Sequence, residues 1–137
     1  MFEDIKDQLK LIAESVTGVE AVYTVKPQNV SVYPAIIIST DSHESNYLNL
    51  RDTDRSYNFI IDILGNMETN HESTQVLIEQ IANDLINKLE KNTNITLNNN
   101  ISFTGLTKGK LSLINTPAKI CIYSINYTAK VIVNRFA

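Results

Sequence analysis

Tryptophan is absent from this 137-residue chain, and cysteine, histidine, proline and glycine are scarce: one, two, three and four of each. A single cysteine, Cys121, can neither staple the fold nor build a metal cage, and that usage suits a reducing compartment. Two histidines, His43 and His71, leave little general-base chemistry, and both fall in polar surroundings that predict exposed side chains. Four scattered glycines exclude the clustered-glycine loops that cradle phosphates. Long apolar runs are missing too. Ala35–Ile38 is far below the roughly 18 residues of a membrane-spanning helix, so no membrane partner is expected. The opening MFEDIKDQLK lacks the cationic start and apolar block of a signal peptide, which predicts folding in a cytoplasm.

Acidic residues are missing from the last third. All fifteen lie at or before Glu90, alongside six bases, whereas residues 91–137 carry six bases and no acid. The plainer expectation is that the two halves interleave in space and the asymmetry vanishes. The sharper one is a bipolar subunit whose unlike faces meet head to tail.

What is present reads as one α+β domain covering residues 1–137, with apolar and charged fractions ordinary for a globular chain. Phe2, Ile5, Leu9, Ile12 and Val16 recur at steps of three and four, the stripe of an amphipathic helix stopped by Thr17-Gly18. Val19 to Val25 predicts a short strand, and Tyr33-Pro34 opens the apolar strand AIIIS. The polar stretch DSHESNYLNLRDTD either loops out or forms the far end of a long, projecting hairpin. From Arg55 to Leu64 the period is two, with Tyr57, Phe59, Ile61 and Ile63 on the buried face. Thr69-x-x-Glu72 fits a capping box ahead of a second helix with core positions Ile78, Ile81, Ala82, Leu85 and Leu89.

Asn98, Asn99 and Asn100 predict an exposed turn. Ile101–Thr107 and Leu111–Ile114 flank Lys108-Gly109-Lys110, which predicts a hairpin broken off by Pro117. A final alternating strand runs from Cys121 to Val133, long enough that part of it is expected to bend or project beyond the sheet. Two helices against one face of a largely antiparallel or mixed sheet is the economical packing.

The residues that could do chemistry each have a bland reading. Cys121 lies on the apolar face of its strand, a position for a buried inert thiol. Asp52-x-Asp54-x-Ser56 begins like a calcium loop, but Tyr57 replaces the turn glycine and Ile63 the bidentate glutamate. Asp41, Glu44, Asp52 and Asp54 are expected at a solvated hairpin tip. Lys108, Lys110 and Lys119 near Tyr123 and Tyr127 offer charge and stacking for nucleic acid, but read better as lysines keeping a turn soluble. Most of the six tyrosines are expected in the core, with Tyr47 the exposed exception. The reading is therefore a non-enzyme with no catalytic residue, no cofactor and no metal.

Taken in order, the opening helix ending at Thr17-Gly18-Val19, Tyr33-Pro34 before an apolar strand, Glu44-Ser45-x-Tyr47, Arg55-x-Tyr57-x-Phe59-x-Ile61, a second helix and a long closing strand resemble the tail terminator proteins of long-tailed bacteriophages. These are also called minor tail or tail completion proteins. The resemblance spans nearly the whole chain. It implies a virion structural protein at the head-proximal end of the tail: a homo-oligomer, a hexameric ring, that stops tube polymerisation. Its implied partners are the tail tube protein and a head–tail connector protein, with DNA only passing through the lumen. By position, His43 to Asp54 would be an arm reaching a neighbouring subunit, with Glu44, Tyr47, Leu48, Leu50, Arg51 and Arg55 as candidate interface residues. Two alternatives stand beside it: another head–tail joining or stopper protein, and a small cytoplasmic ligand-binding regulatory domain.

Overall fold

The computed structural model describes residues 2–68, 71–91, 101–114 and 119–134. The elements run α1 (Phe2–Glu14), β1 (Ala21–Tyr23), β2 (Ala35–Tyr47), β3 (Asp52–Asn66), α2 (His71–Lys91), β4 (Ile101–Ile114) and β5 (Ile120–Asn134). Two helices and a five-stranded mixed sheet make this an α+β fold, as the patterning predicts. The strand order is β1-β2-β3-β5-β4; β1 pairs parallel with β2, and every other pair is antiparallel.

The second helix buries its predicted stripe and the first most of the described part of its own, Ile12 staying half-buried against the core. Ile5, Leu9 and Ala13 from the first with Val16 just beyond its end, and Ile78, Ile81, Ala82, Leu85 and Leu89 from the second, join one core with Ile36, Ile38, Tyr57, Phe59, Ile61, Ile63, Ile125 and Tyr127. The end of α1 tightens through bonds from the Ser15 and Val16 amides to the Ile12 and Ala13 carbonyls. Gly18 then turns the chain at φ +95°, the left-handed conformation that glycine alone adopts without strain. Lys88 of α2 donates to the Ser15 carbonyl at 2.8 Å, and Lys6 of α1 to the Thr24 carbonyl at 2.9 Å. Both ammonium groups thereby satisfy carbonyls that the local backbone leaves open.

Gly65 brings α2 close to the sheet. A Cβ there would stand 2.6 Å from Ile78 Cγ1 and 2.9 Å from Thr74 Cγ2, so the helix rests on the bare backbone of β3. Thr74 Oγ1 also donates to the Asn66 carbonyl.

The opposite face of the sheet carries polar rows among apolar residues such as Ile37 and Leu64. Asn58 Nδ2 donates to Ser42 Oγ at 3.1 Å, and Thr128 Oγ1 donates to Asn58 Oδ1 at 2.7 Å, which links β2, β3 and β5 in one row. Ser124 Oγ donates to Asp62 Oδ1 in a second row. Such rows hold the register, because a slip of one residue would exchange the apolar and polar faces.

Four sequence expectations change. Lys108-Gly109-Lys110 is not a hairpin turn: β4 is one continuous strand paired along β5, with shifts at Ile101/Phe103 and Leu106/Lys108. Gly109 is there to make room, since a Cβ would lie 2.8 Å from the Tyr123 hydroxyl. The final strand neither bends away nor projects alone, because β3 accompanies it from Asn66↔Ile120 to Asp52↔Asn134. Of the six tyrosines, only Tyr57 and Tyr127 are fully buried; Tyr23, Tyr33 and Tyr123 are half-buried, and Tyr47 is exposed. Lastly, the chain halves do not interleave within the sheet. β2 and β3 carry five acids against one arginine, while β5 and β4, on the other side, carry three lysines and no acid. The capping box at Thr69, the asparagine turn and Pro117 lie outside the described residues.

Candidate functional site

Beyond Ser39 the second strand leaves the core. From Thr40 to Tyr47 every side chain of β2 is exposed, although each residue except Asp41 still has a partner in β3. Asp41 sits where the register shifts between Thr40 and Ser42. This bulge inserts one residue and reverses which way the remainder of the strand faces, which sets Ser42 beside Asn58 on the polar face.

The turn after Tyr47 is built on Asn49. Its Oδ1 accepts from the amides of Arg51 at 2.7 Å and Asp52 at 2.9 Å, and its Nδ2 donates to Asp52 Oδ2 at 3.3 Å. The Leu48 amide closes the loop onto the Asp52 carbonyl at 3.1 Å. An asparagine side chain bonded to the backbone two and three residues ahead fixes a tight turn without glycine. The result is a stiff tip whose apolar side chains face water: Tyr47 is 68% exposed, Leu48 52% and Leu50 81%. Exposed apolar groups scattered singly need no explanation, but three within four residues, on an ordered turn, form a patch suited to a partner.

The candidate interface residues are thus brought together, with one exception. Glu44 lies on exposed β2 opposite Ser56; Tyr47, Leu48, Leu50 and Arg51 surround the tip. Arg55 stands further down β3, half-buried between Ser45 and Val131. Sequence reasoning missed Asn49, the residue that orders the tip; its spacing to Asp52 in Asn-Leu-Arg-Asp was the available signal.

The chemistry-bearing residues are dispersed. His43 stacks against Tyr57 on the exposed strand, with ring centroids 6.4 Å apart. Cys121 is buried, and its thiol is pushed above its usual range first by desolvation and then by the negative charge of Glu79. Among the described residues no group of three or more His, Cys, Asp or Glu side chains could hold a metal ion. None of the described helices is long and apolar enough to cross a membrane. Surface hollows beside Lys10, Glu14 and Val19 and beside Glu72, Val76 and Leu77 open broadly to solvent, unlike the enclosed apolar clefts that hold small ligands.

The chain is a two-helix, five-stranded α+β fold with an exposed sheet corner closed by a hydrogen-bonded turn. No protein-family model and no curated protein matches the chain. Among solved structures it shares its fold with a chain of the virion of a native gene transfer agent particle. That match has a TM-score of 0.57 and 10% identity, covering 90% of this chain and 84% of the other.

Proposed function

We propose that this chain is a structural protein of a phage-like virion and, more narrowly, a tail terminator. In this role it forms a ring on the head-proximal end of the tail tube, ends tube growth and offers the surface on which the head connector docks. The observation that carries the reading is the fold, shared along 90% of the chain with a component of a virion particle. The stiff apolar tip supports it, because such a role works through contacts alone and requires no catalytic group. It fits a partner with a matching pocket, in the manner of a central apolar anchor within a polar rim.

Electron microscopy of the purified protein mixed with growing tail tubes tests the proposal. Rings capping one end of each tube are expected; tubes that stay uncapped and keep lengthening refute it. Deleting the gene separates this role from that of another neck protein. Overlong tails are expected for a terminator, and tails of normal length beside filled heads for a joining protein.

A further inference from the structure

We infer that copies of this chain join edge to edge, the outer half of β2 from one copy pairing antiparallel with β4 of the next. Three observations converge on this occupant.

The first is an open edge. β1 covers β2 only at Ala35, Ile36 and Ile37, and among the described residues no strand lies alongside the rest of β2 on the margin away from β3. Edges of this kind are templates for further pairing. The opposite margin of the sheet is β4, whose described neighbour is β5 alone.

The second is charge. Exposed Asp41 and Glu44 lie along the β2 edge, and Lys108 and Lys110 along β4, with no acid in either β4 or β5. Like charges oppose β2 meeting β2, or β4 meeting β4, while the mixed pairing is complementary. An arrangement of unlike edges is heterologous, so it runs head to tail and closes into a ring when the rotation allows.

The third is direction and register. β2, β3, β5 and β4 alternate in direction, so repeating the sheet side by side places β4 antiparallel to the next β2. Without sliding, the lysine half of β4 cannot approach. Lys110 lies in the same sheet row as Ile37, where β1 already occupies the edge. A slide of about five residues, ~17 Å along the strand, clears β1 and sets Lys108 opposite Glu44, with Lys110 opposite Ser42 beside the bulged Asp41. A constant stagger between neighbouring strands is what closing a tilted sheet requires.

The proposal rests on the terminator reading only for the closed ring; edge pairing is read out separately from tube capping. Two variants test it by native mass spectrometry: D41K/E44K, which makes the β2 edge basic, and K108E/K110E, which makes the β4 edge acidic. The unaltered chain should oligomerise, and each variant alone should do so about tenfold more weakly or worse. Mixed together, they should co-assemble in alternation. The double-cysteine variant E44C/K108C should give a disulfide-linked ladder under mild oxidation, and E44C alone none, since Cys121 is buried. Oligomers indifferent to both charge changes, dimers cross-linked by E44C alone, or a chain that stays monomeric at every concentration would each overturn edge pairing. Oligomers that obey these rules but never cap tubes would instead refute the terminator reading and leave the pairing intact.

Discussion

Gly65→Ala sets two effects against each other. In a strand interior alanine is ordinarily the better residue, by roughly 0.5–1 kcal/mol, because glycine loses more freedom on folding. Here the added methyl would lie 2.6 Å from Ile78 Cγ1, 2.8 Å from Ile78 Cδ1 and 2.9 Å from Thr74 Cγ2. Ile78 is fully buried in the core, so it has no free space to enter. Forcing a methyl into a packed site costs about 1–3 kcal/mol, and the overpacking term wins. A net loss of about 1–2 kcal/mol is expected, seen as a lower urea midpoint at unchanged slope. Ile78→Ala alone should cost about 2–5 kcal/mol through the cavity it leaves. In that background Gly65→Ala should cost far less, since the two nearest clashing atoms are gone and only Thr74 Cγ2 remains close, and the double-mutant cycle then shows strong coupling. If Gly65→Ala is neutral or stabilising in the parent, the close approach of α2 to β3 is wrong.

Further outcomes concern the tip and the thiol. Leu48→Ala and Leu50→Ala should each shift unfolding free energy by less than about 0.5 kcal/mol, because both side chains are exposed, while reducing tube capping in the microscopy assay. Asn49→Ala removes three bonds that order the turn and should cost about 1 kcal/mol, with greater hydrogen exchange confined to the amides of Arg51 and Asp52. Cys121 should resist a thiol reagent in the folded protein and react fully on unfolding. Its thiol ionises at higher pH in the fold than in the unfolded chain, so the native state holds the proton more tightly. Its stability contribution is thus complete below the unfolded value and lost as pH rises through the folded one; Cys121→Ala should flatten the alkaline fall in urea midpoint.

Much of this architecture is written in periodicity. The steps of three and four in α1 and the alternation from Tyr57 to Ile63 and from Cys121 to Val131 reappear as buried faces, because burial on one side of an element leaves a local repeat. Strand order leaves no such repeat. Nothing near Asp54 or Lys130 records that the acidic strands lie on one side of the sheet and the lysine-bearing strands on the other. Lys108-Gly109-Lys110 misleads for a related reason: the glycine serves Tyr123, a residue 14 positions away, and a turn signal and a packing allowance look alike in one dimension. The tip is half legible. Its polarity marks an excursion, but its stiffness depends on bonds from the Asn49 side chain that composition does not show.

The bulge at Asp41 also separates two kinds of evolutionary constraint. On its near side, Ile36 and Ile38 are locked into the core, and any change there is answered by the whole fold. On its far side every side chain from Ser42 to Arg51 is exposed, and apart from Ser42 bonded to Asn58, His43 stacked on Tyr57 and Asn49 bracing the turn, these positions answer mainly to whatever surface they meet. A lineage changing its assembly partners could rewrite the remaining positions and keep the same folded body beneath them.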